Sequence, residues 1–67
     1  MVVGEKMNVL YLGRVYEVVS VANMVVDGVV VETAWMVDVF NEDNNKTVAT
    51  RYLTEEVTPE THPEVYL

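Results

Sequence analysis

Asp27-Gly28 stands between two valine-rich runs, VYEVVSVANMVV (15–26) and VVVETAWMVDVF (29–40), and this junction restricts the fold more than any other part of the chain. A type I′ reversal needs positive φ at both central residues, and Asp-Gly supplies it at little cost. Valine accounts for 17 of the 67 residues. Its branched Cβ fits a pleated sheet better than a helix. The sequence therefore predicts a long β-hairpin over residues 15–40.

A two-residue loop sets the register. One face then holds Tyr16, Val18, Ser20, Ala22, Met24 and Val26 against Val39, Val37, Trp35, Thr33, Val31 and Val29. That face is apolar apart from two hydroxyls and is the expected core. The other face is mixed, with Val15, Val19, Val21 and Val25 beside Glu17 and Asn23, and Met36, Ala34, Val30 and Phe40 beside Asp38 and Glu32. In this register Glu17 faces Asp38, and Asn23 faces Glu32. Twelve residues per arm would span roughly 40 Å if straight. A compact domain of this size is only about 28 Å across. The arms are expected either to bend round a small barrel or to project toward a partner chain.

The remaining segments read as a meander. Residues 7–12 form a strand, Gly13-Arg14 a break, and the Asn/Asp-rich run 41–46 a polar loop. Residues 47–53 return antiparallel to 35–40, with Val48, Thr50 and Tyr52 on the core face and Arg51 across from Asp38. Thr58-Pro59-Glu60 can open a helical turn, with Thr58 as N-cap and Pro59 at its first position. The expected fold class is all-β: a small bent antiparallel meander of four to five strands, one domain over 1–57, with a docked acidic, Pro-containing tail over 58–67. The long bent hairpin, polar loop, return strand and short closing segment resemble SH3-like small barrels over roughly residues 7–57. That resemblance implies barrel closure and transfers no site.

The formal charge is −7, from eleven carboxylates against Lys6, Arg14, Lys46 and Arg51. Such a surface repels nucleic acid and anionic membrane, which associate mainly through Lys and Arg. No apolar run reaches spanning length, and the N-terminus lacks the features of a signal peptide. The lack of cysteine fits the cytoplasm. His62 is the single histidine, so thiolate and multi-histidine metal sites are not expected. Glu42-Asp43-Asn44-Asn45 lacks calcium-loop spacing, Ser20 lacks a nucleophile elbow, and no phosphate-binding glycine loop occurs. The sequence predicts no catalytic, cofactor-binding or metal-ligating residues. Glu17 and Asp38 read as part of a charge ladder with Arg51 rather than as an acid–base pair.

These features predict a non-enzymatic binding protein: an acidic inhibitor or regulator of a basic macromolecular target, mimicking nucleic acid as some phage-encoded factors do. Glu17, Glu32, Asp38, Glu42, Asp43, Glu55 and Glu56 are the expected partner-binding carboxylates, with Arg51 as their compensating cation. Two largely apolar hairpin faces also predict a homo-oligomer. The alternatives are an oligomer that sequesters a nucleotide or metabolite, with Arg14, Arg51 and Lys46 as phosphate donors, and an accessory subunit of a larger assembly.

Overall fold

The computed structural model describes residues 1–67. Four antiparallel strands form one curled, half-barrel sheet in sequential order: β1 (Asn8–Tyr11), β2 (Arg14–Val26), β3 (Val29–Asp38) and β4 (Asn41–Ala49). The only helical elements are two 3-10 turns, Thr50–Tyr52 and Pro63–Tyr66. No helix is long and apolar enough to cross a membrane.

The Asp27-Gly28 reversal forms as expected, with φ of 50° and 77°. Leu12-Gly13 repeats it between β1 and β2, with φ of 49° and 79°. The first reversal sets the predicted pairing from Val26↔Val29 out to Ser20↔Trp35. Beyond that point the ladder shifts at Val19, so that Val18 pairs with Met36, Glu17 with Val37 and Tyr16 with Asp38. Glu17 therefore does not face Asp38. The inward residues of β3 are Ala34, Met36 and Asp38, while Trp35 lies on the outer face at 42% exposure. A bulge inserts one residue and bends its strand. Here the bend brings Tyr16 and Val18 onto the same concave face as Val21, Ala34 and Met36.

That concave face is the core. Val3, Val9, Tyr16, Val18, Ala34, Met36 and Leu53 cluster there, with Met7, Tyr11, Val21 and Val48 packed against them. Val3 and Leu53 come from outside the sheet and cover it. Burying each aliphatic side chain contributes about 1.5–3 kcal/mol relative to leaving it in water.

The expected loop at 41–46 is instead the start of β4. The chain reverses at Val39-Phe40, where the Asp38 Oδ1 accepts the Phe40 N–H at 2.9 Å. An Asp that captures the amide two residues on mimics a backbone turn. Asp38 pairs with Asn41 and Val37 with Asn45, so residues 42–44 bulge out of the ladder. Strand β4 ends at Ala49, and the Thr50–Tyr52 turn removes Arg51 and Tyr52 from the sheet. Arg51 is thus not across from Asp38. Tyr52 is 57% exposed, and Leu53 takes the core position expected of it.

Two edges are managed differently. Along β1, the Leu10 N–H donates to the Glu55 carbonyl and the Val57 N–H to the Asn8 carbonyl, covering the strand. The Tyr66 hydroxyl then ties the tail down, donating to the Val57 carbonyl and accepting from Asn8 Nδ2. At the far end of the hairpin nothing comparable exists. β1 reaches only to Glu17 and β4 only to Thr33. Residues 22–31 form a bare two-stranded ribbon, and the molecule measures 43 Å along its long axis against 26 and 19 Å across. Met24, Val25, Val26, Val29 and Val30 are all exposed on it. The hairpin both bends and projects.

Candidate functional site

The end of the sheet opposite the ribbon gathers the chain's polar chemistry. Positions 14, 16 and 18 of β2 and 44, 46 and 48 of β4 share the inward phase of the pleat. Val18 and Val48 belong to the core, but one step further out the same stripe becomes Tyr16 and Lys46, then Arg14 and Asn44. The concave face therefore changes from apolar to polar along its length. Leu12, Arg14, Tyr16, Asn41, Asn44 and Lys46 line a cavity of about 340 Å³ there.

Asp38 does not itself line the cavity but bonds to two residues that do, Arg14 and Asn44, and its side chain is 1% exposed. Its Oδ1 takes the Phe40 N–H, and its Oδ2 accepts from Arg14 Nη1 at 3.2 Å and Asn44 Nδ2 at 3.1 Å. The Phe40 amide, then the Asn44 amide and the Arg14 guanidinium, hold this carboxyl below its usual range against the opposing effect of burial. Asn44 Nδ2 also donates to the Tyr16 hydroxyl at 3.2 Å. The Lys46 ammonium sits 5.5 Å from the Tyr16 ring centroid, and Tyr11 meets the same ring edge-on at 6.3 Å. Buried Asp38 is thus an organising charge that fixes Arg14 and Asn44, and is shielded from any partner.

The other expected partner-binding residues do not converge. Glu17 is exposed on the outer face of β2. Glu32 is exposed and accepts from Thr50 Oγ1 at 2.8 Å. Glu42 and Asp43 project from the bulge in β4, while Glu55 and Glu56 lie beside β1 on the opposite edge. Glu55 is 3.2 Å from His62 Nε2. Arg51 lies over the Tyr52 ring, 5.0 Å from its centroid. Ten of the eleven carboxylates are exposed and spread over both edges.

Sequence reasoning named Arg14 and Lys46 as phosphate donors but did not join them, and it missed Tyr16, Asn41 and Asn44. The usable signal was the alternation itself: Arg14-x-Tyr16-x-Val18 and Asn44-x-Lys46-x-Val48 are polar extensions of core stripes. Comparison with known protein families, with characterised proteins and with solved structures finds no match for this chain.

Proposed function

We propose that this chain is a non-enzymatic binding protein that self-associates through its hairpin ribbon and presents its carboxylates to a basic macromolecule, as an inhibitor or regulator. The observation that carries this reading is the ribbon. Residues 22–31 expose apolar side chains on both faces, with Val25 at 72% and Val30 at 65%. An isolated two-stranded ribbon is marginal in water, and contiguous apolar patches of this kind mark interaction surfaces. A second copy is the favoured occupant. The five exposed side chains offer about 500 Å² per chain over the two faces, so the roughly 1,000 Å² that a specific interface needs is reached only if the two ribbons clasp each other and cover both faces. A shared ribbon also leaves the charged edges of each copy free.

On this reading the Glu55–Val57 segment serves as the fifth strand of an SH3-like closure, since it already bonds to β1. A cytoplasmic location accompanies it, which the cysteine-free composition permits. The basic partner follows from charge: ten exposed carboxylates steer a cationic surface toward the protein, an attraction that salt weakens.

Affinity capture on the immobilised protein tests this reading. A basic protein is expected to bind at low salt and to elute as ionic strength rises. Joint substitution Glu42→Gln, Asp43→Asn, Glu55→Gln and Glu56→Gln is expected to weaken capture while leaving the fold intact. Capture that survives high salt and this neutralisation unchanged would remove the basic-partner reading.

A further inference from the structure

We infer that the cavity between Arg14 and Lys46 is a binding site for a small phosphate-bearing anion, no larger than a mononucleotide. Two of the four cations of an acidic chain line one cavity, together with the Tyr16 hydroxyl and the Asn41 and Asn44 amides. A census of donors and acceptors shows what the cavity lacks. Arg14 uses Nη1 on Asp38, leaving most of its five N–H groups free. Lys46 has no carboxylate within ion-pairing distance, since its ammonium lies over Tyr16. The Tyr16 hydroxyl accepts from Asn44, so its own proton remains available. The Asn41 carbonyl oxygen accepts the Asp43 N–H, which leaves its amide protons unused. The unspent groups are mostly donors, and two of them carry positive charge.

Such an arrangement recognises a group with several acceptor oxygens and negative charge, which is the chemistry of phosphate. Asp38 neutralises part of this charge but also holds Arg14 in place before any ligand arrives, while Asn44 spends both amide protons on Asp38 and Tyr16 and adds no donor of its own. Pre-ordered donors lose less entropy on binding. Glu42 and Asp43 lie in the adjoining bulge, yet neither lines the cavity. At physiological ionic strength, charges more than about 8 Å away are largely screened, so cations in contact with the ligand outweigh the chain's overall negative charge. The volume of 340 Å³ lies at the small end for ligand cavities, which limits the occupant's size. Leu12, at the rim and 80% exposed, offers one apolar contact to an organic substituent.

The test is a nuclear magnetic resonance titration of the full chain with inorganic phosphate, and separately with a nucleoside monophosphate, against sodium chloride at matched ionic strength. Saturable shifts are expected at the Arg14 Nε–H and the Asn41 and Asn44 side-chain amides. Arg51, which is remote from the cavity, is expected to stay unmoved. Tighter binding of the nucleotide identifies an ester as occupant, and equal binding identifies the bare phosphate group. Lys46→Gln removes one cation without touching the Asp38 hydrogen bonds, and is expected to weaken binding about tenfold at an unchanged melting temperature. Shifts that track chloride, that spread equally to Arg51, or that persist undiminished in Lys46→Gln would overturn the proposal.

Discussion

Met36→Ala is expected to leave the protein largely unfolded at room temperature. Met36 is fully buried at the centre of the concave face, among Val9, Tyr16, Val18 and Leu53. Truncating a buried Met removes its transfer free energy and leaves a cavity, costing about 2–5 kcal/mol. A single core in a chain this short supplies only about 3–5 kcal/mol of net stability. The loss is therefore comparable to everything the domain has. Urea denaturation followed by circular dichroism should show a transition moved toward zero denaturant or lost altogether. Val2→Ala provides the control, because Val2 is 91% exposed and its truncation should change stability by less than about 0.5 kcal/mol. Comparable effects at both positions would mean that Met36 does not face the core.

Asp38→Asn is expected to lower the melting temperature by on the order of 10 °C, although the two side chains are nearly isosteric. Three donors converge on the Asp38 carboxylate: the Phe40 N–H, Asn44 Nδ2 and Arg14 Nη1. An asparagine amide must aim its own NH₂ at one side or the other, so donor meets donor whichever way it is turned. The pH dependence provides an independent check. The folded pKa of Asp38 lies below the unfolded value, because the Phe40 amide, the Asn44 amide and Arg14 favour its charged form. Its contribution is therefore complete above the ordinary carboxylate pKa of about 3.9 and is lost as pH falls through the lower folded value. The stability gap between wild type and Asp38→Asn should stay constant from neutral pH to about 5, then narrow below about 4. The other ten carboxylates are common to both proteins and cancel in that difference. A gap that stays constant into strong acid would contradict a charged Asp38 bonded to Phe40, Asn44 and Arg14.

Much of the fold was legible because local chemistry and pattern agreed. Asp27-Gly28 determined a turn, the valine runs determined strands, and the turn determined the register out to Ser20↔Trp35. The bulge at Val19 was not legible. Val18, Val19 and Val21 are apolar in both phases of the pleat, so a slip of one residue leaves the hydrophobic pattern unchanged, and no glycine marks the place. Beyond it Tyr16 and Val18 take the core face expected of them, whereas in β3 the phase is the reverse of the expected one, with Trp35 outward and Met36 and Asp38 inward. The start of β4 was hidden for a different reason. Asn41 to Lys46 has the composition of a loop, while the true turn, Val39-Phe40, has none of the usual turn residues. A tertiary feature, the Asp38 carboxylate on the Phe40 amide, overrides composition there. The cavity depends on both features, because the bulge places Tyr16 beside Asp38 and the early turn brings Asn44 and Lys46 alongside.

Self-association is tested most directly by the mass of the native protein in solution. Sedimentation equilibrium across the micromolar range should give at least twice the chain mass of 7.6 kDa. Val25→Lys should reduce it to the monomer, with the circular dichroism spectrum unchanged. That substitution makes the net charge less negative and so lessens general repulsion, which means dissociation would locate the contact at the ribbon itself. A wild-type mass that stays at 7.6 kDa throughout, or an oligomer that Val25→Lys leaves intact, would contradict it.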